Sequence, residues 1–379
     1  MDYKTVAEGA CEKIEEAVNR FCVKGKPSEC RRYGNGHIND TFLLCTWDDE
    51  QGGERHQYIL QRMNTHVFKN PKGLMQNVSG VTAYLRDQIA KAGGDVQRGT
   101  LTLIKTKDGE DYYVDSLGSW WRMYLYITGA VGYDTAENEE AFYQSARAFG
   151  QFQRLLDKYP VSLLTETIPG FHDTPKRFEA FCRAVEKDAC GRAESVKSEI
   201  AFVMDRKEEM SMVTDKLGSG ELPCRVTHND TKLNNVLIDK LSGQAVCVID
   251  LDTVMPGTAI FDFGDSIRFG ANTAEEDEKD LSRVSLSLSL YEVYAKGFLE
   301  GCAGSLTDAE VRMLPWGAKL MTLECGMRFL TDYLEGDQYF RIHRPDHNLD
   351  RARTQFALVA DMERKWDEMK QLSEKYISG

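Results

Sequence analysis

His228, Asn229 and Asp230 open a polar run, Thr231-Lys232-Leu233-Asn234-Asn235, and Asp250 follows Asn235 by fifteen positions. Strand-like residues surround these groups. Cys224-Arg225-Val226-Thr227 leads into His228, Val236-Leu237-Ile238-Asp239 follows Asn235, and Ala245-Val246-Cys247-Val248-Ile249 delivers Asp250. Asp230 is therefore expected on a loop after one strand, with Asn235 and Asp250 flanking a β-hairpin. A carboxylate, an amide five residues later and a second carboxylate at a strand end are what phosphoryl transfer to a hydroxyl requires. The first carboxylate receives or orients the acceptor hydroxyl; the amide oxygen and the second carboxylate hold Mg²⁺ on the nucleotide phosphates. Asp230 is the candidate base, and Asn235 and Asp250 are the candidate metal ligands. A hairpin that carries two acids by chance is the plain alternative, and the agreement of spacing, residue type and strand context weighs against it.

The neighbours divide between chemistry and scaffolding. Asp239 begins a turn, Asp239-Lys240-Leu241-Ser242-Gly243, and reads as a turn residue. His228 reads as structural, holding the loop by hydrogen bonds. Lys232 is either a point charge for a phosphate or a solvated lysine. In Gly34-Asn35-Gly36-His37-Ile38-Asn39-Asp40 two glycines lie between strand-like runs, which makes a tight hairpin whose N–H groups can approach phosphate oxygens. Gly-Asn-Gly is also a plain turn, but a bare turn does not need His37, which either faces a ligand or decorates the loop. No GxxxxGK[ST] occurs, which disfavours a Walker-type ATPase. Pro256-Gly257 and then Asp262-Phe263-Gly264-Asp265-Ser266-Ile267-Arg268 suggest a buried ion-pair network bracing the loop, with Phe261 and Phe263 in the core. Arg328, Asp332 and Tyr339 suit a polar ligand or, equally, a salt-bridged surface.

The elements that must position these groups fall into two sets. Residues 3–22 carry Val6, Ala10, Ile14, Ala17 and Phe21 at helical spacing. Strands are expected at 29–34, 41–47, 56–63, 100–106, 111–116 and 119–127, with a turn at Asp108-Gly109. One helix interrupts them, with Leu74, Val78, Val81, Leu85 and Ile89 on one face after Asn70-Pro71. From about 137 long helical patterns take over, at 137–158, 174–190, 196–217, 276–300, 307–335 and 348–376. Ser285 to Leu290 alternates like a strand, yet its context (Leu281, Val284, Leu288, Tyr291) repeats like a helix, and helix is the preferred reading. The expected fold is α+β: a small, mainly antiparallel lobe with one or two helices, residues 1–127, and a larger helical lobe, residues 128–379. The boundary follows the aromatic strand from Trp120 to Ile127.

The 379 residues carry a formal charge of -13. Residues 1–127 hold 17 basic and 17 acidic side chains, so the whole excess lies in the remainder. That balance argues against a nucleic-acid or anionic-membrane partner. The acidic, amphipathic N-terminus lacks the features of a signal peptide, and no apolar run reaches a membrane span. Ten irregularly spaced cysteines without a CxxC pair read as reduced thiols, which implies a cytoplasmic protein.

Taken together, these motifs resemble the aminoglycoside phosphotransferase-like kinases, the small-molecule branch of the protein-kinase fold, and more closely their N-acetylhexosamine 1-kinase branch. The resemblance runs through YGNGHIND (33–40), YILQRMN (58–64), FHDTPKRFE (171–179), RVTHNDTKLNNVLID (225–239) and VIDLDTVMPG (248–257). It continues through FDFGDSIRFGANTA (261–274), ECGMRFLTDYLEGDQYF (324–340) and HNLDRARTQ (347–355). It implies a two-lobed protein-kinase-like fold, with ATP and Mg²⁺ as cofactors and a small sugar as partner. Asp230 would be the catalytic base, Asn235 and Asp250 the Mg²⁺ ligands, and His37, Arg328 and Tyr339 hexosamine contacts. Gly34 and Gly36 would line the phosphates, and the backbone near Tyr124 and Tyr126 would pair with adenine. The implied reaction phosphorylates the anomeric hydroxyl of N-acetylglucosamine or N-acetylgalactosamine. A kinase of another small alcohol, such as an amino alcohol or aminoglycoside, and a catalytically inactive nucleotide-binding module are the alternatives. Two departures bear on the last. Gln61 stands where the wider kinase pattern has a phosphate-binding Lys, and no Glu lies between residues 67 and 86 to act as its partner.

Overall fold

A computed structural model describes residues 2–4, 8–34, 38–48, 53–133 and 138–377. Along the chain the elements are β1 (Asp2–Lys4), α1 (Glu8–Val18), β2 (Lys26–Arg32), β3 (Asp40–Asp48), β4 (Glu54–Arg62), α2 (Pro71–Lys91), β5 (Tyr113–Val114), β6 (Trp120–Leu125) and β7 (Ala130–Val131). There follow α3 (Glu139–Leu155), α4 (Thr174–Lys187), α5 (Lys197–Met204), α6 (Met212–Gly218), β8 (Arg225–Thr227), β9 (Val236–Asp239), β10 (Ala245–Val248) and β11 (Met255–Gly257). The chain ends in α7 (Ala259–Gly270), α8 (Leu288–Cys302), α9 (Asp308–Glu335), α10 (His347–Arg364) and α11 (Trp366–Glu374). It forms two compact units. The first comprises 1–130, 162–168 and 246–255, and the second comprises 131–161, 169–245 and 256–379.

In the first unit a six-stranded sheet runs β1-β2-β3-β4-β6-β5, antiparallel except for the β1–β2 pair. Alternation along β4 turns Tyr58 and Leu60 inward, where they pack with Phe42, Leu44, Trp121 and Met123 against Ile14, Ala17 and Val18 of α1. Asn70 caps α2 by accepting from the Gly73 N–H at 3.0 Å, and Pro71 occupies the first turn, where no donor is lost. Asn77 of α2 is 1% exposed and bonds main chain on two distant segments. Its Nδ2 donates to the carbonyls of Thr165 (2.7 Å) and Val254 (2.9 Å), and its Oδ1 accepts from the Thr165 N–H at 2.8 Å. A buried amide with every bond made fixes both segments to the helix. Asp250 is thereby carried by this unit.

The second unit is helical. Thr307 and Glu310 cap α9 reciprocally, and Gly336 ends it in the left-handed region at φ 96°. Gly264 of α7 meets Gly317 of α9 so closely that a methyl on either would overlap backbone of the other helix. The described cysteines, from Cys22 to Cys325, are free thiols. Among the described residues no helix is long and apolar enough to cross a membrane.

The α+β character is as the sequence implied, and several elements differ in detail. Residues 100–106 form no strand, only isolated bridges at Leu103–Tyr124 and Phe21–Thr106. The helix expected over 196–217 is broken into α5 and α6. The helix expected from 276 begins at Leu288. The Asp361 carboxylate accepts the Leu286 N–H (2.7 Å) and the Ser285 hydroxyl (2.8 Å), holding this stretch out of the helix, and Leu286 bridges Asn272. The Ser287 hydroxyl then caps α8 by accepting from the Leu290 N–H.

Candidate active site

Asp230 leaves the end of β8 on a loop whose backbone is tied down before and after it. Arg225, at the start of β8, bonds Glu310 of α9 through Nε and NH2 (2.6 and 2.8 Å), Asp157 through NH1 (2.6 Å) and the Ser305 carbonyl through NH2 (2.8 Å). The Asp262 carboxylate, 1% exposed, accepts the N–H groups of His228 (2.9 Å) and Asn229 (2.8 Å) and the side-chain amide of Gln153 (2.7 Å). Burial pushes the Asp262 carboxyl upward, and His228, Asn229 and Gln153 pull the other way. The Thr231 hydroxyl donates to the Asp262 carbonyl at 2.6 Å, and Ser266 donates to the Thr231 carbonyl at 2.7 Å. The expected brace in residues 262–268 is thus present, completed by Arg268 between Asp265 (3.1 Å) and Glu276 (2.9 Å). Phe261 and Phe263 are core, and His228 is fully buried edge-on to Phe149 and Phe152.

The brace bends the loop. Asn229 sits at φ 64°, a left-handed conformation that Asn tolerates better than most residues. Asp250 has φ 58°, so a candidate ligand and the residue before the candidate base both hold uncommon backbone geometry, as functional loops often do.

Asp230, Lys232 and Asn235 come together. Asn235 Nδ2 donates to the Asp230 carbonyl (2.8 Å) and to its Oδ2 (3.1 Å), while Lys232 Nζ lies 2.8 Å from Oδ1. With Nδ2 so committed, the atom Asn235 can offer a cation is its Oδ1. Burial works against the Lys232 charge, but Asp230 and Asp265 outweigh it and push its pKa up to about 12. Asp265 is lowered despite burial by Arg268, then Lys232 and His172.

A second cluster surrounds Arg328. Its guanidinium lies over the rings of Phe171 (5.6 Å), Tyr339 (5.8 Å) and Phe340 (5.5 Å). Glu324, one turn earlier on α9, accepts from Thr174 Oγ1 (2.7 Å) and pairs with His172 Nδ1 (2.9 Å). Burial of Glu324 is overcome by His172 and Arg328, which hold its pKa below the usual carboxylate range. Burial and then the Arg328 charge push Arg177 below the usual arginine range. Acidic and basic groups therefore alternate through this unit: Asp230, Lys232, Asp265, His172, Glu324, Arg328.

Tyr339 belongs to the Arg328 cluster, and the expected nucleotide-side residues lie in the first unit. Tyr339 is 69% exposed and positioned by Asp332, whose carboxylate accepts the N–H groups of Gln338, Tyr339 and Phe340 (2.8, 2.8 and 2.9 Å). Asp332 is spent on shaping that turn. Tyr124 is buried, and the Tyr126 hydroxyl bonds that of Tyr33 at 3.2 Å. The N–H groups of Leu125 and Tyr126 already donate to the carbonyls of Thr102 (2.9 Å) and Gln57 (3.1 Å), so neither can also serve an adenine edge. Gly34 has φ 75°, and its Cβ direction is open. Gly36 and His37 lie outside the described residues. Asp239 caps its turn as expected, accepting from the Leu241 and Ser242 N–H groups.

Sequence reasoning missed the Arg122–Asp252 pair, in which NH1 lies 2.5 Å from Oδ1, and the His172–Glu324 pair. The signals were the places of His172, Asp252 and Glu324 in the runs at 171–179, 248–257 and 324–340. Among the described residues no three His, Cys, Asp or Glu side chains group to hold a metal ion. An amide oxygen and single carboxylates suit Mg²⁺, which completes its shell with phosphate and water rather than an all-protein cage.

Comparison with known proteins follows this geometry. A profile of the phosphotransferase enzyme family (APH) matches residues 29–295. Among solved structures the chain is similar to a microcompartment-associated aminopropanol kinase, at 16% identity and TM-score 0.61, covering 95% of this chain and 98% of that one. It is also similar to the amicoumacin kinase hAmiN in complex with AMP-PNP, Ca²⁺ and Ami, at 15% identity and TM-score 0.58, over 95% and 94%. An aminoglycoside phosphotransferase from Alicyclobacillus acidocaldarius matches at 12% identity and TM-score 0.61, over 95% and 96%. The fold is kinase-like.

Proposed function

The chain belongs to the phosphotransferase enzyme family, and from that premise we propose that it transfers the γ-phosphoryl group of ATP to the anomeric hydroxyl of an N-acetylhexosamine. The products are the sugar 1-phosphate and ADP. In this reading the first unit handles the nucleotide and the second the acceptor.

Asp230 takes or orients the hydroxyl proton as the anomeric oxygen attacks the γ-phosphorus and the bond to the β-phosphate oxygen breaks. An anomeric hydroxyl is more acidic than an ordinary alcohol, so a carboxylate is a sufficient base. Lys232, 2.8 Å from the Asp230 carboxylate, pairs with it and adds positive charge where the phosphoryl group must arrive. Asn235 Oδ1 and the Asp250 carboxylate are the proposed protein oxygens for Mg²⁺, which when bound neutralises phosphate charge.

The acceptor class rests on Arg328. A guanidinium among three aromatic rings, with Arg177 close enough to feel its charge and the Glu324 carboxylate one turn earlier on α9, offers hydrogen-bond donors beside an acceptor. Such a site suits a neutral sugar with hydroxyl and acylamido oxygens, because guanidinium groups donate hydrogen bonds and accept none. The second reading, a kinase of an amino alcohol or aminoglycoside, draws on solved structures of similar fold whose names describe such acceptors.

A panel assay for ADP release, with phosphorus NMR of each product, separates the two. Turnover of N-acetylhexosamines to an anomeric phosphate is expected. Turnover of ethanolamine, aminopropanol or kanamycin alone rejects the sugar reading, and nucleotide binding without turnover of any acceptor favours an inactive module.

A further inference from the structure

The first unit contains a buried ion pair that the motif reading did not use. Arg122, on β6, is 1% exposed, and β-sheet register sets it beside Gln61 on β4. Its Nε donates to Gln61 Oε1 at 2.9 Å, and its NH1 lies 2.5 Å from Asp252 Oδ1. The other Asp252 oxygen accepts from Asn39 Nδ2 at 2.7 Å. Asn39 Oδ1 in turn accepts the Asn64 N–H at 2.9 Å, and Gln61 Nε2 donates to Thr41 Oγ1 at 3.1 Å. The result is one polar chain, Thr41–Gln61–Arg122–Asp252–Asn39–Asn64, with Gln61 as a member rather than a vacancy left by a missing lysine.

Asp252 lies in the single 3₁₀ turn Leu251–Thr253, which Asp250 opens at φ 58°. Two contacts grip that short turn: the Arg122–Asp252 ion pair, and the Asn77 hydrogen bond to the carbonyl of Val254, the residue after the turn. A buried pair of charges costs solvation that its attraction barely offsets, so its use is better sought in the geometry it enforces.

We infer that Arg122 is a positioning residue: acting through Asp252, it holds the turn that presents the Asp250 carboxylate to the cation on the nucleotide phosphates. This rests on the reading of Asp250 as a Mg²⁺ ligand. Arg122 does not replace the phosphate-binding lysine by direct contact, since moving its guanidinium to a phosphate would strand Asp252 in the interior without a cation.

The test uses the full chain and a non-hydrolysable ATP analogue, with calorimetric binding measured in Mg²⁺ and in EDTA. The paired substitution Arg122→Met with Asp252→Asn removes both charges yet keeps an acceptor for Asn39, so the fold should persist by circular dichroism. Positioning partners of metal ligands are worth about 10–100-fold in affinity. The Mg²⁺-dependent part of analogue binding should weaken by about that factor while binding in EDTA stays put. If the paired variant does not fold, Arg122→Lys is measured the same way. It keeps the charge but cannot span Gln61 and Asp252, and it should show a smaller loss of the same kind. Equal weakening in Mg²⁺ and EDTA, or none, overturns the inference. A wild-type chain that binds the analogue no better with Mg²⁺ than without it overturns the Asp250 assignment as well.

Discussion

Asn235 donates its side-chain amide to Asp230 twice, to the carbonyl oxygen at 2.8 Å and to the carboxylate Oδ2 at 3.1 Å. The same bonds orient the candidate base and turn the Asn235 Oδ1 away from it as a ligand oxygen. The two residues form one device, and their substitution effects should not be independent.

Asp230→Asn keeps the shape and one acceptor oxygen but can neither take a proton nor supply charge. A general base contributes about 10²–10⁴-fold, so kcat on the sugar should fall by at least that range with a far smaller change in sugar KM. Preserved kcat with raised KM would mean that Asp230 only positions the acceptor.

Asn235→Ala removes a ligand oxygen and also frees Asp230 to swing fully to Lys232. In a double-mutant cycle with Asp230→Asn, the combined loss in kcat should be well short of the product of the single losses. Multiplicative losses would show that the hydrogen bonds are idle in catalysis.

Asp262→Ala orphans three buried donors, the His228 and Asn229 N–H groups and the Gln153 amide. Each costs about 1–3 kcal/mol when left unpaired, so chemical denaturation should show a loss of several kcal/mol. Unfolding at an unchanged midpoint would show that the loop does not depend on this brace.

Lys232 carries a pH prediction. Its folded pKa of about 12 is raised from 10.5, so its pairing stabilises the fold fully below about 10.5 and fades as pH climbs toward 12. The stability gap between wild type and Lys232→Met should therefore be flat through neutral pH and shrink only in that alkaline window. A gap that closes near neutrality would mean that Asp230 and Asp265 do not hold the proton on Lys232.

What could be read in advance follows from the range over which each feature is determined. The meeting of Asp230 with Asn235 and the 262–268 brace were legible because their partners are close in sequence or announced by residue type. Arg122–Asp252 was not, because it depends on the β4–β6 register and on a turn 130 residues away. Asp332 stayed open between a ligand contact and a salt-bridged residue because nothing local reveals that three backbone N–H groups of the following turn converge on it. Residues 281–287 looked helical because their apolar spacing is helical. A carboxylate on α10, Asp361, takes the N–H of Leu286 and decides otherwise.

Asn77 has a consequence for synthesis. Its side chain needs the backbones of Thr165 and Val254, so the first unit cannot be completed by residues 1–130 alone as the chain leaves the ribosome. It must wait until Val254 has been translated, by which time helices of the second unit have already been made. Nascent chains stalled before Val254 should expose this helix face to chaperones and proteases, and those stalled soon after should be protected.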